Sequence, residues 1–257
     1  MNRIDKLFQS KKNKILSVYF TAGYPTLESV EQIILLLEKN GVDMIELGIP
    51  YSDPLADGPV IQETSTIALT NGMTLNHLLL HLKDIRKKTS IPILLMGYLN
   101  PILQYGFDRF CQMAKEVGVD GLIIPDLPLS EYETEYKRMT DANNLKTIFL
   151  ITPDTSDQRI RQIDDLCSGF IYMVSSASTT GKMNLFDDHQ LNYFKRVAGM
   201  KLKNPVVAGF GIHNRKTLEQ VFTYCNGAIV GSAFLRELQR SQSVEDGVKE
   251  FFKSFRQ

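Results

Sequence analysis

The chain has 257 residues, of which 43% are hydrophobic and 23% charged, and its 29 basic and 29 acidic side chains balance. This length suits one α/β barrel, and the balanced charge offers no basic field for nucleic acid. Three widely spaced cysteines, odd in number and without a CxxC pair, are typical of reduced thiols. The N-terminus lacks a signal-peptide core and no apolar run could span a bilayer. We therefore expect a single cytoplasmic domain over residues 1–257.

Short apolar runs alternate with amphipathic stretches along the whole chain. Strand candidates begin near eight positions: Ile15, Val42, Ile91, Gly121, Thr147, Phe170, Pro205 and Ala228. Between them, apolar residues at helical spacing predict helices, as in the stripe of Val30, Ile33, Ile34 and Leu37. Eight strand–helix repeats of this length favour a single parallel (β/α)8 TIM barrel, with a doubly wound open sheet as the alternative. Residues 3–9 predict a short extra N-terminal helix.

Residues 45–58 carry three carboxylates where an apolar strand runs into a loop marked by proline and glycine. Glu46 lies near the C-terminal end of the strand, and the two-residue period places it on the face opposite Ile45 and Leu47. One explanation is an ion pair with a Lys or Arg that the sequence does not reveal, since unpaired buried charge is costly. In a barrel, however, enzyme sites lie at this end of the strands, which favours a catalytic Glu46. The same reasoning places three further candidates on the rim: Asp57, Asp126 and Tyr172.

Glycines follow the last two predicted strands, in Gly209-Phe210-Gly211 and in Gly231-Ser232. Glycine lets backbone N–H groups approach an anion, and a short helix after Ser232 would add positive potential at its N-terminus. Barrel enzymes commonly bind phosphate after these two strands, so the pattern favours a phosphate site over two plain turns. A dinucleotide site is less favoured, because Asn214 stands where the third glycine of GxGxxG would be.

Residues 175–184 form a small, polar, glycine-containing segment after the sixth predicted strand. A plain surface loop is one explanation. We favour a lid that closes over substrate, because the segment flanks both candidate sites. His77 and His81 have the i, i+4 spacing of a metal pair, but no third ligand is suggested nearby, so we predict no metal site.

The block of residues 45–58, which ends in Ser-Asp-Pro-Leu-Ala-Asp-Gly, closely resembles the signature of the tryptophan synthase alpha chain family. The resemblance covers essentially the whole chain and includes residues 21–25, 98–101 and 126–128. It implies a (β/α)8 lyase of tryptophan biosynthesis. Such a lyase cleaves indole-3-glycerol phosphate by retro-aldol chemistry to indole and glyceraldehyde 3-phosphate.

By the same resemblance, Glu46 is the catalytic glutamate, Asp57 engages the indole N–H and Tyr172 lies near the reacting centre. Thr180 and Gly181 match the closing loop. The phosphate-binding positions are Gly181, Gly209, Phe210, Gly211, Gly231 and Ser232. Several family members carry Arg at the position of Ser176 and Gly-Val at the positions of Ser178 and Thr179, a difference that concerns the lid rather than the chemistry.

The resemblance also implies a partner. The family pairs with a beta subunit in an α2β2 heterotetramer and passes it indole through a tunnel. Asp53 and Pro54 fall at that interface. Pyridoxal phosphate would belong to the beta subunit, and no cofactor is expected on this chain.

The chemistry suits two carboxyls in unlike environments. A carboxyl on an apolar strand can have its pKa raised towards neutrality, which suits Glu46 to proton transfer. Asp57, on a polar loop, can stay ionised and hold the indole N–H. Three alternatives stay open. One is another barrel enzyme such as phosphoribosylanthranilate isomerase or indole-glycerol-phosphate synthase, which is not expected to carry the 46–58 block. The others are a non-enzymatic phosphate-ligand sensor and a free-standing lyase.

Overall fold

The computed structural model describes residues 1–175 and 185–256, without the side chain of Arg256. Every strand pairing in its sheet is parallel, and the hydrogen-bonded order is β5-β4-β3-β2-β1-β9-β8-β7-β6. The strands are β1 (Ile15–Thr21), β2 (Met44–Gly48), β3 (Ile93–Met96), β4 (Gly121–Ile123), β5 (Lys146–Ile148), β6 (Leu150–Ile151), β7 (Ile171–Val174), β8 (Val206–Gly209) and β9 (Gly227–Val230).

The two ends of this order, β5 and β6, are separated only by Phe149. They are therefore two pieces of one barrel strand, and the sheet closes on itself. The predicted eight-stranded (β/α)8 barrel is confirmed, with its fifth strand interrupted. An open doubly wound sheet is excluded, because its two edge strands would not be consecutive in the chain.

Helices surround the barrel and follow its strands. A 3-10 turn lies at Ile85–Lys87, and a π-helical segment, Tyr132–Tyr136, joins two of the helices. The α-helices are α1 (Arg3–Ser10), α2 (Ser29–Lys39), α3 (Pro59–Thr70), α4 (Leu75–Leu82), α5 (Leu99–Tyr105), α6 (Phe107–Glu116), α7 (Leu129–Glu131), α8 (Lys137–Ala142), α9 (Asp157–Leu166), α10 (Asp188–Gly199), α11 (Arg215–Tyr224), α12 (Ser232–Arg240) and α13 (Val244–Arg256).

The predicted apolar stripe of α2 is buried, and the helix ends at a left-handed glycine, Gly41, with φ of 90°. The N–H of Val42 donates to the Leu37 carbonyl at 3.1 Å, and the N–H of Gly41 donates to that of Glu38 at 3.0 Å. These two bonds close the helix end as a Schellman motif. Val42 thus belongs to the helix end, which is why β2 begins two residues later than predicted.

Four junctions at the N-terminal end of the barrel repeat one hydrogen-bond pattern. In each, a residue one to three positions before a strand donates its N–H to a carbonyl of the preceding barrel strand. The side-chain oxygen of this residue accepts in turn from the N–H of the strand residue whose carbonyl it contacts. All these bonds measure 2.8–3.1 Å. The pairs are Asp43 with Leu16, Asp120 with Ile93, Ser168 with Thr147, and Asn226 with Val206. The pattern ties each of these strands to the one before it, so the chain is built from four two-strand units.

Helix α1 closes the N-terminal end of the barrel. Its Ile4 side chain is fully buried, and Ile4 Cδ1 would lie 3.2 Å from a Cβ on Gly121. The Asn2 amide donates to the carbonyls of Asp120 and Asn144 at 2.8 Å, and Arg3 pairs with the Asp120 carboxylate at 3.0 Å. The predicted extra helix is confirmed, and it leaves the opposite end of the barrel for the site.

The three cysteines, Cys111, Cys167 and Cys225, are free and buried. No helix in the described part of the chain combines the length and apolar character that crossing a membrane requires.

Candidate active site

Glu46 lies in the barrel interior, fully buried on β2. The Ser17 hydroxyl on the neighbouring strand β1 donates to Glu46 Oε1 at 3.0 Å, and Oε2 has no hydrogen-bond partner among the described residues. Burial raises the pKa of Glu46 to about 8, and the bond from Ser17 opposes this only in part. The carboxyl is therefore mainly protonated at neutral pH. No described Lys or Arg side chain forms an ion pair with Glu46, so the ion-pair explanation finds no support among these residues.

Two buried tyrosines face Glu46 in the barrel mouth. Tyr19 pairs with Glu46 in the β1–β2 register, and Tyr172 on β7 lies close enough for the Glu46 charge to raise its pKa, although burial is the larger cause. Each ring leans over a glycine of the next strand. A Cβ on Gly48 would collide with the Tyr19 hydroxyl, and one on Gly209 would collide with that of Tyr172. Both glycines thus make room for a tyrosine ring. The sequence predicted Gly209 only as part of the phosphate site and did not reveal that the Tyr172 ring requires a glycine there.

Asp57 lies on the loop after β2, partly exposed. The Tyr98 hydroxyl donates to Asp57 Oδ2 at 3.1 Å and accepts from the Ala56 N–H at 3.0 Å. Burial raises the pKa of Asp57 above its ordinary value, and the Tyr98 bond opposes this rise only in part. The Tyr98 hydroxyl supplies the polar environment that the sequence predicts for Asp57. The Asp57 carboxyl is, however, more buried than a polar loop suggested. The ring of Tyr51 packs on Tyr98 with centroids 5.3 Å apart.

Asp126 follows β4 on the same rim, but it is exposed and has another partner. Its Oδ1 accepts from the backbone N–H of Leu99 at 2.9 Å, at the first residue of α5. A carboxylate at this position satisfies one of the free N–H groups at a helix start. The structure therefore gives Asp126 a capping role and does not bring it against the buried carboxyl.

The candidate phosphate residues lie at the ends of two paired strands, β8 and β9. Phe210 and Gly211 both have left-handed backbones, with φ of 68° and 72°. The Ser175 hydroxyl donates to the Phe210 carbonyl at 2.5 Å, which holds this turn against the end of β7. Gly231 precedes Ser232, the first residue of α12. The first turn of this helix has free N–H groups, and they lie at the end of β9, beside the turn that follows β8. The two glycine segments are thus side by side.

The sequence profile described as Tryptophan synthase alpha chain matches residues 6–257. The chain belongs to the tryptophan synthase alpha chain family. It is 55% identical to the tryptophan synthase alpha chain of Flavobacterium psychrophilum, over 98% of this chain and 100% of the relative. The chain is therefore an enzyme subunit, a lyase, with the alpha-subunit role in tryptophan biosynthesis.

Solved structures agree. The crystal structure of the tryptophan synthase alpha chain from Legionella pneumophila has a TM-score of 0.87 and 36% identity, over 99% of this chain and 94% of that one. A chain in the tryptophan synthase complex from Pyrococcus furiosus has a TM-score of 0.83 and 34% identity, over 93% of this chain and 95% of that one.

The segment that resembles the closing loop of the tryptophan synthase alpha chain lies outside the described residues. Thr180 and Gly181, predicted for the lid and the phosphate site, fall there, as do Ser176, Ser178 and Thr179. The two predicted interface residues are described: Asp53 is exposed and Pro54 is half-buried. Next to them, Leu55 is 88% exposed, the most exposed large apolar side chain among the described residues.

Three residues of the site were missed in the sequence: Ser17, Tyr19 and Tyr98. Ser17 and Tyr19 share the interior face of β1, and the two-residue period that placed Glu46 would have placed them as well. Tyr98 stands in the segment of residues 98–101 that resembles the family, but nothing in its spacing connects it with Asp57. That contact depends on how the loops after β2 and β3 fold over one another.

Among the described residues, no cluster of three or more His, Cys, Asp or Glu side chains could hold a metal ion. His77 makes a local contact instead, with its Nδ1 3.0 Å from the Gly72 carbonyl.

Proposed function

We propose that this chain is a carbon–carbon lyase that cleaves indole-3-glycerol phosphate to indole and glyceraldehyde 3-phosphate. The observation that carries the proposal is Glu46: a fully buried carboxyl with one unpartnered oxygen and a pKa raised to about 8. A general acid–base works best when its pKa is near the working pH, because both protonation states are then accessible. Among the described residues, Ser17 is the one hydrogen-bond donor to Glu46 and no cation pairs with it, so no ion pair explains a carboxyl at this position.

The proposed reaction uses Glu46 twice. Protonated Glu46 donates its proton to C3 of the indole ring, which places positive charge on the ring. The resulting carboxylate takes the proton of the hydroxyl on the adjacent chain carbon. The bond between C3 and that carbon then breaks, its electron pair returns to the ring, and the chain carbon becomes the aldehyde. Protons and electrons balance, and Glu46 ends protonated as it began.

Asp57 has the complementary role in this proposal. Its carboxylate accepts the indole N–H and stabilises the positive charge that develops on the ring. The bond from Tyr98, at 3.1 Å, lowers the pKa of Asp57 and so favours the ionised form that this role needs. Tyr172, whose hydroxyl has its pKa raised well above 10, stays protonated beside Glu46.

The other end of the substrate has its own binding elements. We assign the phosphate to the turn at Gly209, Phe210 and Gly211 and to Gly231 and Ser232 at the start of α12. Left-handed backbone at residues 210 and 211 exposes N–H groups, and the helix start adds positive potential. Closure of residues 175–184 over the substrate, with Thr180 and Gly181 in contact with it, stays a prediction from the sequence.

We also propose a beta subunit as partner, in an α2β2 assembly that carries pyridoxal phosphate on the beta subunit. Two observations support a partner: Leu55 is 88% exposed beside Asp53 and Pro54, and the matching chain from Pyrococcus furiosus comes from a tryptophan synthase complex. A single domain over residues 1–257 and a cytoplasmic location complete the proposal.

The test is indole formation from indole-3-glycerol phosphate, measured with and without a candidate beta subunit. We expect indole and glyceraldehyde 3-phosphate in equal amounts, and faster turnover with the partner. Turnover that the partner leaves unchanged would indicate a free-standing lyase. Phosphate-ligand binding without any cleavage, alone or with the partner, would indicate a sensor.

The interface has a matched pair of variants. Leu55→Ser should weaken activation by the beta subunit and leave the turnover of the isolated chain unchanged. Leu80→Ser changes another exposed leucine, on α4, which is 56% exposed, and should affect neither. Equal effects of the two variants would remove the loop of residues 53–55 from the proposed interface.

A further inference from the structure

Tyr19 connects the two ends of the site, although neither the sequence motifs nor the proposed reaction uses it. Its side chain is buried, and its ring packs at the strand end that leads to α12, where Cδ1 would lie 3.3 Å from a Cβ on Gly231. Its other end reaches over β2, where Cζ would lie 2.6 Å from a Cβ on Gly48. The ring thus extends from the proposed phosphate site to the strand that carries Glu46.

The Tyr19 hydroxyl lies in a polar part of the barrel mouth. The charges of Asp57 and Glu46 both raise the pKa of Tyr19, and the Thr21 side chain lowers it, so all three side chains lie near this hydroxyl. Thr21 in turn shares a hydrogen bond of 2.7 Å with Thr64, so its own capacity is partly used. Burial raises the pKa of Tyr19 far above 10. The hydroxyl therefore stays protonated and can both donate and accept a hydrogen bond.

We propose that Tyr19 is a further substrate-binding residue whose hydroxyl forms a hydrogen bond with a hydroxyl group on the three-carbon chain of the substrate. The proposal rests on the proposed function. If the indole ring lies at Glu46 and Asp57 and the phosphate at Gly231, the chain between them must pass along the Tyr19 ring. A polar group at this point selects a hydroxylated chain over a plain hydrocarbon chain. Beside a hydrocarbon chain the buried Tyr19 hydroxyl would lack this hydrogen bond, which is costly.

The test compares two ligands and two variants. One ligand is indole-3-glycerol phosphate; the other is an indole that carries phosphate on a propyl chain without hydroxyls. Tyr19→Phe removes only the hydroxyl and keeps the ring that packs on Gly231. Tyr132→Phe is the matched control. It removes the hydroxyl of a buried tyrosine in the outer layer, which bonds Thr140 at 3.3 Å.

We expect Tyr19→Phe to lower kcat/KM for indole-3-glycerol phosphate on the order of 10-fold. Its dissociation constant for the propyl analogue should change less than about twofold. Tyr132→Phe should change neither value. An equal loss for both ligands would show that Tyr19 only shapes the pocket, and no loss for either would show that its hydroxyl is not used. Both results overturn the inference.

Failure of this inference is distinguishable from failure of the proposed function. A wild-type chain that does not cleave indole-3-glycerol phosphate contradicts the proposed function and, with it, the inference. A wild-type chain that cleaves it, with a Tyr19→Phe variant that treats both ligands alike, contradicts the inference alone.

Discussion

The hydroxyl of Ser17 donates a hydrogen bond to Glu46 at 3.0 Å. This bond is the only one that the described residues make to the fully buried carboxyl. A single neutral donor does not offset the loss of water around a charge, so burial raises the pKa of Glu46 to about 8. The same arrangement that makes Glu46 suitable for proton transfer makes it costly for the fold. This cost can be measured.

Glu46→Gln should gain stability relative to wild type as the pH rises from about 4.5 to about 8. In this range the unfolded wild-type chain ionises Glu46 while the folded chain keeps it protonated, so Glu46 lowers wild-type stability as the pH rises, and the variant lacks this loss. The difference in the free energy of unfolding should reach the order of 1–4 kcal/mol. Urea unfolding at several pH values measures it. A difference that is constant from pH 5 to pH 9 would contradict the raised pKa.

Tyr98→Phe should raise the pKa of Asp57, because it removes the hydrogen bond that favours the ionised carboxylate. The variant also leaves the Ala56 N–H without its acceptor. We expect kcat/KM to fall about 10-fold. An NMR titration of the Asp57 carboxyl carbon gives the pKa directly.

The control for Tyr98 is Tyr51→Phe. It removes a hydroxyl whose one hydrogen bond among the described residues is accepted from the exposed Asn100 amide, at 3.2 Å, and it keeps the ring that packs on Tyr98. The Asp57 titration should be unchanged in this variant. If the two variants shift the titration alike, the effect comes from ring packing and not from the Tyr98 hydrogen bond.

Gly211→Asp should weaken binding of glycerol 3-phosphate, because it places negative charge and bulk at the proposed anion site. The backbone strain must be separated from this effect, since Gly211 has φ of 72° and any side chain there is strained. Gly41→Asp is the control: its φ is 90° and a Cβ there would meet nothing within 4 Å. Backbone strain should cost each variant about 1–2 kcal/mol of stability, and Gly211→Asp also has a close contact, because its Cβ would lie 3.2 Å from Phe186 Cε1. Only Gly211→Asp should lose affinity for the ligand, and equal affinities would contradict the phosphate site.

Asp120→Ala should destabilise the fold by about 3–5 kcal/mol. The Asp120 carboxylate is 2% exposed and pairs with Arg86 at 2.8 Å and with Arg3, and it also accepts from the Ile93 N–H. Its removal leaves the partly buried Arg86 charge unpaired.

The matching variant in another two-strand unit is Asp43→Ala. Asp43 makes the same backbone pattern with Leu16, but its side chain is 17% exposed and that of its cation, Lys11, is 41% exposed. The loss should be about 1–2 kcal/mol. Urea unfolding of both variants tests the ranking, and a larger loss for Asp43→Ala would contradict it.

Local patterns predicted the barrel well. Apolar runs separated by amphipathic helices, with glycines at the helix ends, were sufficient to place eight strands within one or two residues. The break in the fifth strand at Phe149 was not predictable, since residues 148–151 form one apolar run that continues across it. Of the four junctions that share the hydrogen-bond pattern, only two share a sequence, Gly-Val-Asp at residues 41–43 and 118–120, so the pattern was not predictable. Ser168 and Asn226 make the same bonds with other side chains.

The site was predictable to the extent that a single strand determines it. The two-residue period and the strand-end rule place Glu46, and the glycines of β8 and β9 lie together because the two strands pair. Contacts between different loops were not predictable. The Tyr98–Asp57 bond and the fit of the Tyr172 ring over Gly209 depend on the relative positions of separate strands, which no spacing along the chain encodes.

The most direct test of the central claim is the rate of indole release from indole-3-glycerol phosphate by wild type and by Glu46→Gln. Gln keeps the size of the side chain and can still accept from Ser17, but it cannot transfer a proton. We predict that the variant binds the substrate with nearly unchanged affinity and releases indole more slowly by a factor on the order of 10²–10⁴ or more. Indole release at a near-normal rate by Glu46→Gln would contradict the account.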